Sequence, residues 1–357
     1  MSNASYVTEE ELFALMQSID QSDVKPPRAQ AVFGPGCHSH QPGNEPSFRE
    51  NVTHHLIDRK SFLAFPQIRD EVVANALAQI PDALKTDARD TKETLIQKIS
   101  SIGWFDEQFP LQGGGRRGKK RVRLAATDYS TPRRKSWSVV VQDEHENESG
   151  SLVRTMYSYG KPNSRIRQKT NATPMPVEIA LLGIHLFLSV RHLLSDVCAS
   201  SPPNHCQMLG YYGFFDSKVG RHKDDHFLHT LHDVLHGGKT EEEAVKITKG
   251  AMVPGSDVLI FSNGPLHVFF SWCFTRKERP FVGREFHETH PWMQITLTEG
   301  SLLIFKSIDD LYFYHEVAIK WFLAENVPSI CKETDYRFAF VFRWLGTNQL
   351  SEFPCQK

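Results

Sequence analysis

The sequence lacks the features of a membrane protein, of a disulfide scaffold and of a protein that binds nucleic acid by bulk charge. Its longest apolar stretch, residues 179–190, is interrupted by His185 and is too short to cross about 30 Å of hydrocarbon. The six cysteines are scattered without a CxxC pair, which favours free thiols in a reducing compartment. The chain has 41 Lys and Arg against 42 Asp and Glu, so its net charge does not attract nucleic acid. Binding to nucleic acid would therefore require a local cluster of basic residues. We therefore expect an intracellular protein of the nucleus or cytoplasm, with no membrane contact and with unknown protein partners.

The N-terminus also lacks the basic flank and apolar run of a signal peptide, and its pattern is instead that of a capped helix. Thr8 and Glu11 have capping-box spacing ahead of periodic apolar residues. Helical patterns recur near 67–80 and 90–101, after a Gly/Pro/His-rich loop at about 25–50. The sequence thus predicts a helical N-terminal extension over 1–103.

Short β-type runs dominate from Trp104 onward and predict an α+β fold with a sandwich or barrel core. The predicted strands cover 136–142, 258–261, 267–274, 293–298, 302–305, 311–315 and 336–344. Helical runs at 177–194 and from about 226 interrupt the series. We divide this part into a domain at 104–346, with a helical insertion at about 226–255, and a C-terminal tail at 347–357.

His222 and Asp224 have the spacing of two ligands on one strand. Residues two apart on a strand point to the same face, so an imidazole nitrogen and a carboxylate oxygen can reach one ion. A third ligand from a distant strand would complete the two-His-one-carboxylate triad of non-haem Fe(II) oxygenases. Taken alone, the spacing is equally that of a solvated surface pair.

The C-terminal part of the chain contains candidates for the third metal ligand and for residues that bind an anion. His315 ends an apolar, aromatic run, at the mouth of a predicted strand. The strand at 336–344 has one aromatic face and an opposite face on which Arg337 and Arg343 flank two small apolar residues. Buried arginines need anionic partners, which a dicarboxylate cosubstrate and a metal-bound aspartate would provide. Two structural salt bridges are the alternative.

A second histidine cluster follows the HxD motif. Its members fall at helical spacing from His222 and could line one helix face: His226, His229, His232 and His236. A partly solvated histidine face explains the last three equally well. His226 lies just past Asp224, at the edge of the candidate site.

These motifs together resemble the AlkB family of Fe(II)- and 2-oxoglutarate-dependent dioxygenases. The resemblance runs in order over roughly 158–344: a Pro-containing helix entry at 173–176, the strand into HxD, the Ser262-Asn-Gly264 turn, the aromatic strand ending at His315, and the RxxxxxR spacing of the two arginines. It implies a double-stranded β-helix, or jelly-roll, core with supporting helices. It also implies Fe(II), with 2-oxoglutarate and O₂ as cosubstrates.

The resemblance assigns roles residue by residue. It makes His222, Asp224 and His315 the iron ligands and catalytic centre. Arg337 would bind the distal carboxylate of 2-oxoglutarate, and Arg343 the metal-side carboxylate or Asp224. Either Tyr211 or Tyr212 would hydrogen-bond the cosubstrate.

The chain also departs from the family pattern. Ala339 stands where the family often has Asn, and Val341 where it often has Thr. Glu316 replaces the usual Gly after the distal histidine, and 91 positions, more than is typical, separate Asp224 from His315. Some cosubstrate contacts are therefore expected to be missing or replaced.

A local basic cluster points to nucleic acid as substrate. Its members are Arg116, Arg117, Lys119, Lys120, Arg121, Arg123, Arg133, Arg134 and Lys135. Trp137, Tyr157 and Tyr159 follow and could stack on an exposed base. Alternatively, the basic cluster is a solvated hairpin without a ligand. The three aromatic residues are equally compatible with ordinary core packing.

The leading hypothesis is thus an oxidative demethylase, or hydroxylase, of modified nucleobases in DNA or RNA. A protein or small-molecule hydroxylase on the same scaffold is the first alternative. A catalytically silent nucleic-acid-binding module is the second.

Overall fold

The computed structural model describes residues 6–19, 29–34, 52–57, 70–105, 137–142, 151–161, 174–215, 217–222, 252, 256–274, 293–306, 313–319, 332 and 334–346. The α-helices in these ranges are α1 Glu9–Ser18, α2 Asp70–Ala78, α3 Lys92–Ile102, α4 Val177–Val190 and α5 Asp196–Ala199. The first seven strands are β1 Tyr6–Val7, β2 Gln30–Gly34, β3 Val52–Ile57, β4 Gly103–Phe105, β5 Trp137–Gln142, β6 Ser151–Gly160 and β7 Met175–Pro176. The remaining strands are β8 His205–Tyr212, β9 Lys218–His222, β10 Asp257–Asn263, β11 Val268–Phe274, β12 Met293–Leu297, β13 Leu302–Lys306, β14 Phe313–Ala318 and β15 Tyr336–Arg343.

Two sheets organise the chain. The larger has nine strands in the order β2-β3-β13-β10-β15-β8-β6-β5-β4, and the smaller has four in the order β12-β11-β14-β9. All pairs in them are antiparallel except β4 with β5. The fold is therefore mixed α and β with antiparallel sheets, in agreement with the predicted class. The seven predicted strand runs all overlap observed strands. Strands β4, β6 and β7 were not predicted, and the one strand expected to run into the HxD motif is two strands, β8 and β9.

The nine-stranded sheet carries a different core on each face. Strand β15 contributes Phe338, Phe340 and Phe342 to a core shared with α4, the helix-side core. Its alternate residues Ala339 and Val341 belong to a second core, the inner core, with residues of both sheets. The rings of Phe270 on β11 and Phe305 on β13 join the sheets there, with centroids 5.2 Å apart. The inner core thus lies between the two sheets, as the alternation of 336–344 predicts.

Helix α4 covers the aromatic face of β15. Ten of its 14 residues are buried, including Gly183. A Cβ built at Gly183 would lie 2.7 Å from Cε1 of Phe342, so a glycine here allows the helix to approach the sheet closely.

Among the described residues, no helix is long and apolar enough to span a bilayer.

The N-terminal segment contains the predicted helices but is not wholly helical. The capping box of α1 forms, with Glu11 N donating to Thr8 Oγ1 and Thr8 N to Glu11 Oε2. Strands β2 and β3 were not predicted, and β3 joins the larger sheet through β13, with Ile57 opposite Leu302 and fully buried. Pairing with β13 accounts for this difference, because such a contact between distant segments is invisible in local composition.

Candidate metal and cosubstrate site

The two histidines of the predicted triad lie opposite each other on neighbouring strands. His222 ends β9 and is the register partner of His315 on β14. Directly opposed residues of an antiparallel pair share a face, with Cβ atoms about 5 Å apart. His222 and His315 are therefore neighbours on one face of the four-stranded sheet. Asp224 falls two positions beyond, outside the described residues.

The imidazole of His315 lies in the inner core. The residue is 3 % exposed, and its ring stacks on Phe270, with centroids 5.1 Å apart and planes 10° apart. Phe305 of the larger sheet packs against it at 5.0 Å. The His315 side chain is thus turned toward the nine-stranded sheet.

Arg337 projects from the larger sheet into the same core. The side chain is fully buried, and Nη1 donates to the carbonyl oxygens of Leu266, at 3.4 Å, and of Leu297. Since Leu297 ends β12, the guanidinium reaches from one sheet to the other. These two bonds fix the guanidinium of Arg337 between the sheets.

Arg343 lies at the other end of the same strand face. It is 5 % exposed, and its Nη1 donates to Oε1 of Gln207 over 3.0 Å. Gln207 is a residue of β8 and lies opposite Val341 of β15. The Nε2 atom of Gln207 lies 3.9 Å from Sδ of Met156. The amide oxygen of Gln207 orients the guanidinium of Arg343. Sequence reasoning missed Gln207, although it lies on the strand face that carries Tyr211, four residues further on.

The structure separates the two candidate tyrosines. Tyr211 is opposite Arg337 and belongs to the inner core. Tyr212 belongs to the helix-side core, where its hydroxyl lies 3.0 Å from Oγ1 of Thr155. Complete burial raises the pKa of Tyr212 well above its usual value, so this phenol stays neutral. Tyr211 is the tyrosine on the site face.

The tyrosines proposed to stack on bases lie on β6. Tyr159 is 9 % exposed and belongs to the helix-side core, and Tyr157 packs against the same core with its ring centroid 4.5 Å from that of Tyr159. Burial of Tyr159 argues against base stacking, while the role of Tyr157 stays a prediction. Trp137 begins β5, where only the backbone is described.

Several other predicted residues lie outside the described ranges. They are the basic cluster from Arg116 to Lys135, the histidines at 226, 229, 232 and 236, the rest of the 226–255 insertion apart from residue 252, and the tail at 347–357. Within the described ranges, no group of three or more His, Cys, Asp or Glu could hold a metal ion. The third ligand of the predicted triad is Asp224, which belongs to the undescribed part.

Comparison with known proteins gives a weak likeness of fold. No protein-family model matches the chain. No curated protein matches it either. Among solved structures, the one described as "The structure of OsALKBH1" aligns with a TM-score of 0.30 and 17 % identity, over 57 % of this chain and 83 % of that chain. A superposition of this quality supports no conclusion about chemistry, which depends on the residues described above.

Proposed function

We propose that this protein is an Fe(II)- and 2-oxoglutarate-dependent dioxygenase with an AlkB-like jelly-roll core. The observation that carries the proposal is the arrangement around the inner core. His222 and His315 oppose each other on one sheet, and Arg337 and Arg343 share the facing side of the other sheet. A register pair of histidines on one sheet and two buried arginines on the other suit a cation held beside an anionic cosubstrate.

The donor set fits Fe(II). His222, Asp224 and His315 would hold the ion, and two imidazoles with one carboxylate leave coordination positions open. When bound, iron and 2-oxoglutarate supply the O₂-dependent oxidation of a C–H bond, which releases succinate and CO₂.

The protein's own side chains orient the cosubstrate and exclude water. Arg337 binds the distal carboxylate through its planar fork, and burial strengthens that ion pair. Arg343, oriented by Gln207, binds the metal-side carboxylate or Asp224. Phe270 and Phe305 both pack against the His315 ring and restrict its orientation. Tyr211 offers its hydroxyl to the cosubstrate.

The proposed substrate is a methylated nucleobase in DNA or RNA. The support is the cluster of nine cations between 116 and 135, which would neutralise phosphates of a bound strand. Hydroxylation of an N-methyl group yields a hemiaminal that releases formaldehyde, so demethylation needs no further catalytic group.

The test is product formation by the full-length protein with Fe(II), 2-oxoglutarate and O₂ on a panel of methylated DNA and RNA oligonucleotides. We expect succinate and formaldehyde together on at least one oligonucleotide. Asp224→Ala and His315→Ala should lose both products while keeping the circular dichroism of the wild type. His192→Ala, which alters an exposed histidine away from the site, serves as the matched control with unchanged activity.

The alternatives give different outcomes. Succinate without formaldehyde on every oligonucleotide would indicate a protein or small-molecule hydroxylase, which the insertion after Asp224 and the missing Asn at position 339 allow. Failure of the protein to bind iron would contradict the proposal and leave a nucleic-acid-binding module.

A further inference from the structure

Ser262 carries a buried hydroxyl without a hydrogen-bond partner in the part of the chain that the structure describes. The residue is fully buried near the end of β10. Among the described residues, no atom accepts from or donates to its Oγ within hydrogen-bonding distance. Removal of a hydroxyl from water without a partner is unfavourable, so this group is suited to bind a ligand.

The alternation of β10 directs Ser262 into the inner core. Val258 and Ile260 belong to the inner core, whereas Leu259 and Phe261 belong to the helix-side core. Ser262 continues the first set. It therefore lies on the sheet face that also carries Arg337 and Arg343.

Ser262 lies opposite a small residue of the neighbouring strand. Its register partner on β15 is Ala339, which is 4 % exposed and two positions from Arg337. Directly opposed residues of an antiparallel pair share a face. The hydroxyl of Ser262 is therefore next to the position from which an asparagine side chain at 339 would extend.

Ser262 and Arg337 are anchored to the same connection between β12 and β13. The amide of Ser262 donates to Ser301 O at 2.9 Å, and Gly300 N donates to Ser262 O at 2.7 Å. Arg337 Nη1 donates to Leu297 O, at the start of that connection. These bonds hold the serine and the arginine at one end of the inner core.

The turn that follows Ser262 packs directly on the arginine backbone. Gly264 has φ +124°, and a Cβ there would lie 2.9 Å from Cα of Arg337. Only glycine permits both this conformation and this approach. The turn therefore keeps Ser262 close to the strand position from which Arg337 extends.

From this geometry we propose that Ser262 is a cosubstrate-binding residue. Its hydroxyl donates a hydrogen bond to the carboxylate that Arg337 pairs with, and so replaces the side-chain donor that Ala339 cannot supply. A carboxylate offers about four acceptor positions, and a guanidinium fork occupies two, so an additional donor is accommodated. The inference rests on the proposed function, because it takes 2-oxoglutarate as the anion at Arg337.

The experiment measures binding without turnover. Full-length wild type and Ser262→Ala are titrated with 2-oxoglutarate by calorimetry in the presence of Mn(II), and their melting temperatures are compared without ligand. We expect Ser262→Ala to raise the Kd for 2-oxoglutarate about tenfold, since a hydrogen bond to a charged group is lost. Its melting temperature without ligand should be no lower than that of the wild type, because this hydroxyl is unused there.

Ser189→Ala is the matched control. Ser189 is also buried, but it lies on α4 and its Oγ donates to Leu186 O at 2.6 Å. Its loss should leave the Kd unchanged.

An unchanged Kd in Ser262→Ala would overturn the role of Ser262 and leave the proposed function standing. A melting temperature clearly below that of the wild type would mean that the hydroxyl is structural, which also overturns it. Absence of 2-oxoglutarate binding by the wild type would instead refute the proposed function, and the inference with it.

Discussion

Neighbouring residues on one strand acquire different tasks through alternation alone. Tyr211 and Tyr212 are chemically identical, yet one faces the inner core and the other the helices. The sequence alone does not decide between the two tyrosines, because the local pattern of β8 does not show which of its residues face the inner core. The phase follows from pairing with β15, where Tyr211 meets Arg337. For the same reason Gln207 was not predicted, and Ser262 was identified only as part of a turn motif, since the role of each depends on the strand opposite.

Two conservative substitutions test this division of tasks. Tyr212→Phe should lower the free energy of unfolding by about 1 kcal/mol, because Thr155 loses its buried partner, and should leave 2-oxoglutarate affinity unchanged. Tyr211→Phe should weaken 2-oxoglutarate binding severalfold at nearly constant stability. Urea unfolding and calorimetric titration of each variant give both quantities. The reverse assignment would follow if Tyr212→Phe were the variant that lost affinity.

At the scale of elements, β15 and α4 form the contact that supports the site. The strand was predicted with both faces correct because its strict alternation is visible over eight residues. The helix was predicted as well, but its distance from the sheet was not. That distance depends on Gly183, whose lack of a side chain lets α4 rest on the ring of Phe342.

Gly183→Ala should destabilise the protein. Alanine ordinarily stabilises a helix interior by about 1 kcal/mol relative to glycine. Here its Cβ would meet the fully buried ring of Phe342 at 2.7 Å, and overpacking of this kind costs about 1–3 kcal/mol. Because the ring cannot move into solvent, we expect the clash to dominate, with a net loss of about 1 kcal/mol in urea unfolding.

The combined variant checks the cause. With Phe342→Leu in the background, Gly183→Ala should be less harmful than it is alone, since the ring atoms at the clash are gone. A higher melting temperature for the single Gly183→Ala variant would show that the helix and sheet are not so closely packed.

At the scale of the whole molecule, one sheet separates two cores of different character. The helix-side core is apolar and aromatic, whereas the inner core includes or adjoins His315, Arg337 and Arg343, all less than 9 % exposed. A bound anion would interact favourably with the two buried guanidinium groups. Stability and ligand binding should therefore be coupled through the inner core.

Ligand binding should raise the stability of the full-length protein. At a 2-oxoglutarate concentration about 100 times its Kd, in the presence of Mn(II), the free energy of unfolding should increase by about 2.7 kcal/mol. Chelation with EDTA should remove the contribution of the metal. Arg337→Lys, which keeps the charge but loses the bidentate fork, should show a smaller increase. Thermal melts across a ligand series measure this, and an unchanged melting temperature in the wild type would contradict the proposed site.

The motifs could be found in the sequence because each is short and local, as with the two positions from His222 to Asp224 or the six from Arg337 to Arg343. The convergence of these motifs in space could not be predicted, because it depends on the hydrogen-bonded registers between strands that are distant in the chain. The joining of β3 to β13 was missed on the same grounds, in a segment whose glycines and prolines indicate a loop.

The pairing of His222 with His315 is set by the register of β9 against β14, and not by the length of chain that connects them. The connections at 225–256, 275–292 and 307–312, which lie between strands, can therefore change in length while the two histidines stay register partners. Under the proposed function, target recognition can diversify in those connections without a change in this histidine pair.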